Sequence, residues 1–177
     1  MKTPKIELKN VKYHEGMEGT GVNLDIYINN KKCLHLIDEG NGGCYNYYEH
    51  HGKDTMANEV IAFNIKLVDE HISNLKPRTF KIGDNVHTLE VTRDVFFEEI
   101  LEKHEEMKRQ KKIDKLCKTS IVFGNKNAYG YINFNMPLEN VPKFKLNKHL
   151  SEIKEKYCTS GEMKILNKNL TILGIVL

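Results

Sequence analysis

The four cysteines, Cys33, Cys44, Cys117 and Cys158, stand far apart, and no Cys-x-x-Cys pair occurs among them. That absence removes a zinc ribbon and a thioredoxin-like redox motif, and it suits reduced thiols in a cytosolic protein. No glycine run leads into Gly-Lys-Ser/Thr, and no Gly-x-Gly-x-x-Gly opens a helix, so neither a phosphate loop nor a dinucleotide fingerprint is present. Met1-Lys2-Thr3-Pro4 begins no apolar stretch of signal length, and the last seven residues are too few to span a bilayer, so no leader and no membrane anchor are expected. No repeat of fixed period appears. Nor is charge of one sign concentrated overall: 27 Lys and Arg face 24 Asp and Glu, a formal +3, which is not the field of a dedicated duplex DNA binder.

What is present is a chain of 177 residues, 40% of them hydrophobic, enough for one real core. A single compact domain is expected, with 76–78 or 119 as the places where it would divide. Ile6, Leu8 and Val11 begin an extended segment, and Val22 to Ile28 alternates at period two. Asn29-Asn30-Lys31 is a tight-turn signal, and Cys33 to Ile37 returns as the partner strand. Tyr13 to Gly21, with three glycines, reads as a mobile loop. Met56, Val60, Ile61, Ile65, Leu67, Val68, Ile72 and Leu75 form a helical stripe that should cover one face of the sheet.

A second hairpin is predicted at Thr79 to Val91 around Gly83-Asp84-Asn85, and a long helix from Arg93 to Lys118 with acids in its first half and bases in its second. Ser120 to Phe123 and Tyr129 to Phe134 flank a third turn, Gly124 to Asn127. An amphipathic helix over Lys145 to Cys158 and a final strand over Thr171 to Leu177 follow, with Gly161 as the helix cap. The fold class is therefore α+β, with antiparallel or mixed sheets built from hairpins and packed by two to three helices.

The richest stretch is Asp38-Glu39-Gly40-Asn41-Gly42-Gly43-Cys44, followed by Tyr45-Asn46-Tyr47-Tyr48. Its glycines permit positive φ or close approach of another group. Two readings fit: a wide turn between strands, or a nest of backbone amides for an anion, with Tyr45 or Tyr48 stacking a ring. Lys108, Arg109, Lys112 and Lys115 fall on one helical face and can meet phosphates or an acidic protein, or simply be solvated. Other constellations carry less. His50-His51 beside Glu49 and Asp54 has no third ligand at fixed spacing, so a surface loop is expected and no metal. Cys44, with His35 as a base, lacks an oxyanion donor and an orienting acid, so a small buried thiol is expected there. Asp38 and Glu39 diverge in an extended chain and cannot share a reacting atom.

Four pieces together resemble an uncharacterised family of small proteins found in bacteriophage and bacterial genomes. They are Asp25 to Lys32, the Asp38 to Cys44 loop with its trailing Tyr, the Lys-rich helix leading to Ile121-Val122-Phe123-Gly124, and Tyr129-Gly130-Tyr131-Ile132. The chain departs from that pattern at Asn30, where the family turn has Gly, and at Asp38-Glu39-Gly40, where the loop opens Asn-Asp-Gly. The resemblance implies an accessory protein acting in the cytoplasm of an infected bacterial host. No convergent catalytic set and no cofactor motif occurs, so binding without turnover is expected. The leading expectation is sequestration of a small anionic, nucleotide-derived immune signal by Gly40, Asn41, Gly42, Gly43, Tyr45, Tyr48, Lys108, Arg109 and Lys112. The alternatives are inhibition of a host protein through the charged long helix, and weak nucleic-acid binding. A second copy of the chain is a further partner left open.

Overall fold

The computed structural model describes residues 3–159 and 161–175. It divides into two compact units, 1–104 and 105–177, and the division falls inside a helix. The α+β class with hairpin-built antiparallel sheets is what the chain adopts.

In the first unit, β1 (Ile6–Glu15), β2 (Thr20–Ile28), β3 (Lys31–Asp38) and β4 (Asn46–Glu49) form an antiparallel meander in chain order. The β2–β3 turn places Asn29 and Asn30 at φ +50° and +66°, the two left-handed positions that a two-residue hairpin requires. Asn29 also donates from Nδ2 to the buried Asn64 Oδ1 at 2.9 Å, tying the turn to the helix beneath it. The first hairpin is longer than the sequence suggests: pairing runs out to Glu15 and Thr20, leaving Gly16 to Gly19 as the turn. The expected loop over Tyr13 to Gly21 is thus mostly strand. Two residues of β1, Asn10 and Val11, oppose a single position of β2, and Asn10 takes φ +54°, as the first residue of a G1-type bulge does.

Val22, Leu24, Ile26, Ile28, Leu34 and Leu36 line one face of this sheet and are buried. Against them packs α1 (Thr55–Ser73), whose N-terminus is capped by Asp54 accepting from the Ala57 amide at 2.8 Å. Its buried face is Ile61, Asn64, Ile65, Val68 and Ile72. Met56 and Val60 are not on that face, a correction to the single stripe expected: they lie on the solvent side with Phe63. The hairpin of β5 (Arg78–Ile82) and β6 (Asn85–Leu89) forms its own two-stranded sheet. The long helix α2 (Arg93–Leu116) starts in this unit, where Phe96 and Phe97 enter the same core. Arg93 clamps both carboxylate oxygens of Asp69 on α1, at 2.6 and 2.7 Å.

In the second unit, β7 (Ser120–Gly124) is the central and fully buried strand of a sheet ordered β8 (Tyr129–Asn133), β7, β9 (Lys164–Ile165). Ile121 and Phe123 pack with Leu146, Leu150 and Ile153 of α3 (Lys143–Tyr157) and with Leu170 of α4 (Asn169–Ile172). Val122, on the opposite face, packs with Ile113 and Cys117 at the end of α2. The sheet is therefore covered on both sides, and Ile121-Val122-Phe123 at the middle of β7 is apolar throughout. The expected final strand is corrected: Thr171 and Ile172 are helical, Leu173 and Gly174 turn, and Val176 and Leu177 lie outside the described residues. Nor does Gly161 cap α3, which ends at Tyr157 with Cys158 as its C-cap.

Candidate functional site

The glycine-rich stretch connects β3 to β4, and its glycines are explained first by packing. A Cβ on Gly16 would lie 2.3 Å from the Glu39 carbonyl oxygen, and one on Gly40 2.7 Å from that of Gly19. The two glycine-rich turns are thus pressed backbone to backbone. Gly40 is buried at φ +70°; its amide donates to Asp38 Oδ1 at 2.9 Å, and its carbonyl accepts from the Glu18 amide at 2.9 Å. Asn41 is spent in the same way, accepting from the Met17 amide at 3.2 Å and donating to Glu39 Oε2 at 3.3 Å. Gly42 and Gly43 are exposed, with the Glu18 carboxylate beside Gly42.

The field around this loop is negative. Burial first, then the carboxylates of Glu98, Asp38, Asp94 and Glu102, push the Tyr45 hydroxyl up to about 12. Tyr45 packs against the core together with Tyr47, whose hydroxyl donates to Asp94 Oδ1 at 2.9 Å. Tyr48 lies opposite His35 in the β3–β4 pairing and is exposed. The residues expected to cradle an anion are therefore divided: Gly40 and Asn41 are satisfied internally, Tyr45 is half-buried against the core, and Tyr48 is exposed on the sheet. Lys108, Arg109 and Lys112 belong to the other unit. Cys44 is exposed, where a buried thiol was expected, whereas Cys33 and Cys117 are buried and their thiols are pushed up by burial.

A cluster that sequence reasoning passed over sits on the face of the meander turned away from α1. Asp25 is 5% exposed at the centre of β2, flanked by the core residues Leu24 and Ile26. Its carboxylate accepts from Asn10 Nδ2 at 2.7 Å and from Lys32 Nζ at 2.8 Å, and meets His35 Nδ1 at 2.8 Å. Burial raises the pKa of Asp25, but the hydrogen bonds from Lys32, Asn10 and His35 and the Lys32 charge outweigh it and hold the group at about 2. An ionised carboxylate only accepts, so His35 carries its proton on Nδ1. The one signal in the sequence was a carboxylate in the middle of an otherwise apolar alternating strand. No group of His, Cys, Asp and Glu able to hold a metal occurs among the described residues.

The second unit carries the opposite charge. Residues 105–177 contain 14 Lys and Arg against 7 Asp and Glu, a net +7, while residues 1–104 contain 13 against 17, a net −4. On α2, Lys108, Lys111, Lys112 and Lys115 are exposed at i, i+3, i+4 and i+7, one stripe about 100° wide. Only Lys108 of these four has an ion partner among the described residues, Glu105 at 3.5 Å. Arg109, expected on this stripe, is turned inward: its guanidinium donates to the Asn125 carbonyl in the β7–β8 turn and lies 5.6 Å from the Tyr129 ring centre. It is a staple between helix and hairpin. Two residues beyond Tyr129 on the same face of β8, Tyr131 is 53% exposed. Lys112 lies on the Arg109 flank of the helix, the side turned to β8.

Compared with family models, with curated proteins and with solved structures, the chain matches none. No helix among the described residues is long and apolar enough to cross a membrane.

Proposed function

We propose that the protein is a non-enzymatic binder of a nucleotide polyanion, holding single-stranded nucleic acid on the lysine face of residues 105–177. The observation that carries this reading is the charge segregation, +7 on one unit and −4 on the other, which the whole-chain value of +3 conceals. Four exposed lysines on one helical stripe supply point charges for successive phosphates, and binding releases the counterions condensed on them. Tyr131 offers an exposed ring for a base, and stacking of this kind is worth about 1–3 kcal/mol per base. The acidic first unit, with carboxylates around its glycine loop, repels the same polyanion and confines it to the basic face.

The resemblance to small phage and bacterial proteins gives this binding a setting, in which the polyanion is either nucleic acid of an infected cell or a short nucleotide-derived signal. Length separates the two: an extended stripe favours an oligonucleotide over a dinucleotide. Reversing Lys111, Lys112 and Lys115 together to Glu is expected to weaken binding of a labelled single-stranded oligonucleotide on the order of a hundredfold. Circular dichroism should stay unchanged, because all three side chains are exposed and none has an ion partner among the described residues. Undiminished binding by the triple variant would sink the proposal.

A further inference from the structure

The outer side of α1 carries a second apolar stripe that is left largely exposed among the described residues. Met56 is 75% exposed, Val60 40% and Phe63 61%, and the half-buried Leu67 completes the row. Their spacing of four, three and four residues is that of the apolar seam of a two-helix coiled coil. Val60 and Leu67 take the a positions, and Met56 and Phe63 the d positions. On the outward flank, the g positions are Glu59 and Lys66, of opposite sign.

We propose that this stripe is a dimerisation surface and that its occupant is α1 of a second copy of the chain, lying antiparallel across a two-fold axis. A two-fold interface must be complementary to itself, and the stripe meets that condition in both its apolar and its charged rows. In the antiparallel register, Val60 faces the partner's Phe63 and Met56 faces the partner's Leu67, each layer occurring twice. The same register brings Glu59 against the partner's Lys66, again twice. In the parallel register, Glu59 would meet the partner's Asn64, and neither charge would find its opposite.

A separate feature suits the same occupant. Beyond Phe63 and Leu67, the surface hollows into a cavity of about 440 Å³ bounded by Pro4, Asn29, His71 and Asn74. The partner's Met56 arrives over Leu67 at this mouth. An unbranched thioether is the side chain best able to fill an irregular apolar hollow, which accounts for so exposed a methionine at the start of the helix. Glu59 has no ion partner within its own chain among the described residues, and Lys66 reaches only Glu70, at 3.9 Å. Both are therefore available to the second copy.

One helix pair buries less than a typical stable interface, so dissociation is expected on the order of 10–100 μM. Sedimentation velocity across that range tests it. The intact chain should shift from monomer to dimer with concentration. Phe63→Glu should abolish the dimer, and Lys66→Glu should weaken it about tenfold by setting like charges face to face. The exchange Glu59→Lys with Lys66→Glu should restore it, because both cross-chain pairs are rebuilt with reversed sign. Should Phe63→Glu disturb folding, the two charge variants, which alter only exposed positions, decide the matter. A chain that stays monomeric at about 1 mM overturns the proposal, as does a dimer indifferent to Lys66→Glu or one that the double exchange fails to restore.

Discussion

Asn167→Leu is expected to cost the second unit about 3 kcal/mol or more, a large share of the stability of a domain this small. Asn167 is 1% exposed and finishes the work of a strand that stops short. β9 pairs with β7 only at Ile165 and Lys164. The Leu166 amide then donates to the Val122 carbonyl at 2.8 Å, after which the chain leaves the sheet. From there the Asn167 side chain continues the ladder: Oδ1 accepts from the Val122 amide, and Nδ2 donates to the Ser120 carbonyl at 2.9 Å. Leu fills a similar volume but leaves a buried donor and a buried acceptor without partners. Asp in its place keeps the acceptor for Val122 yet sets a carboxylate against the Ser120 and Cys117 carbonyls, so it should not rescue. Urea denaturation followed by circular dichroism measures both, and a midpoint unchanged in Asn167→Leu would show that the side-chain ladder contributes nothing.

The second large effect lies in the Asp25 cluster. Replacing Asp25 by Ala strips Lys32, His35 and Asn10 of their common acceptor and should destabilise the first unit by about 2–3 kcal/mol near neutral pH. The effect depends on pH with a definite sign. The folded carboxyl is held at about 2, below its ordinary 3.8. The folded state therefore binds the proton less readily than the unfolded state does. The linked stabilisation, about 2 kcal/mol, is fully present above the ordinary carboxylate range and is lost as pH falls from about 4 to about 2. The stability difference between the native chain and Asp25→Ala should be flat above about pH 5 and shrink steadily below 4. If that difference held constant down to pH 2, the carboxyl would be titrating alike in both states, and the cluster would not be the acid-sensitive point of this unit.

The turns were legible because their chemistry is local. Asn29-Asn30 and Gly83 take up left-handed backbone that few other residues adopt, and in the third turn Asn125 Oδ1 accepts from the Asn127 and Ala128 amides. Helix periodicity was also legible, but it counts apolar positions and not the partners they face. Hence the two stripes of α1 merge into one in the sequence, although Met56 and Val60 lie off the buried face. The same limit applied to α2: the spacing put Arg109 among exposed bases, and nothing local told of the Asn125 carbonyl that draws it inward. Thr171 to Leu177 has the composition of a strand, yet the strand that pairs with β7 is only Lys164–Ile165, extended by one amide side chain. The glycines of the β3–β4 loop were ambiguous for a physical reason. Freedom from a Cβ serves close backbone packing as well as anion capture, and only the neighbouring carboxylates distinguish the two. Asp25 and Asn167 were missed because a single polar residue in a strand or loop reveals its burial only in three dimensions. The charge segregation was present in the sequence throughout, but it becomes visible only when the boundary inside α2 is known.

The most direct test of polyanion binding by the second unit is the affinity of the intact chain for a fluorescent single strand of about 16 nucleotides, followed by anisotropy as salt rises from about 50 to 200 mM. With four lysines engaged, log K should fall against log salt with a slope of about −3. Binding that ignores salt, or no binding at the lowest salt with well-folded protein, would contradict it.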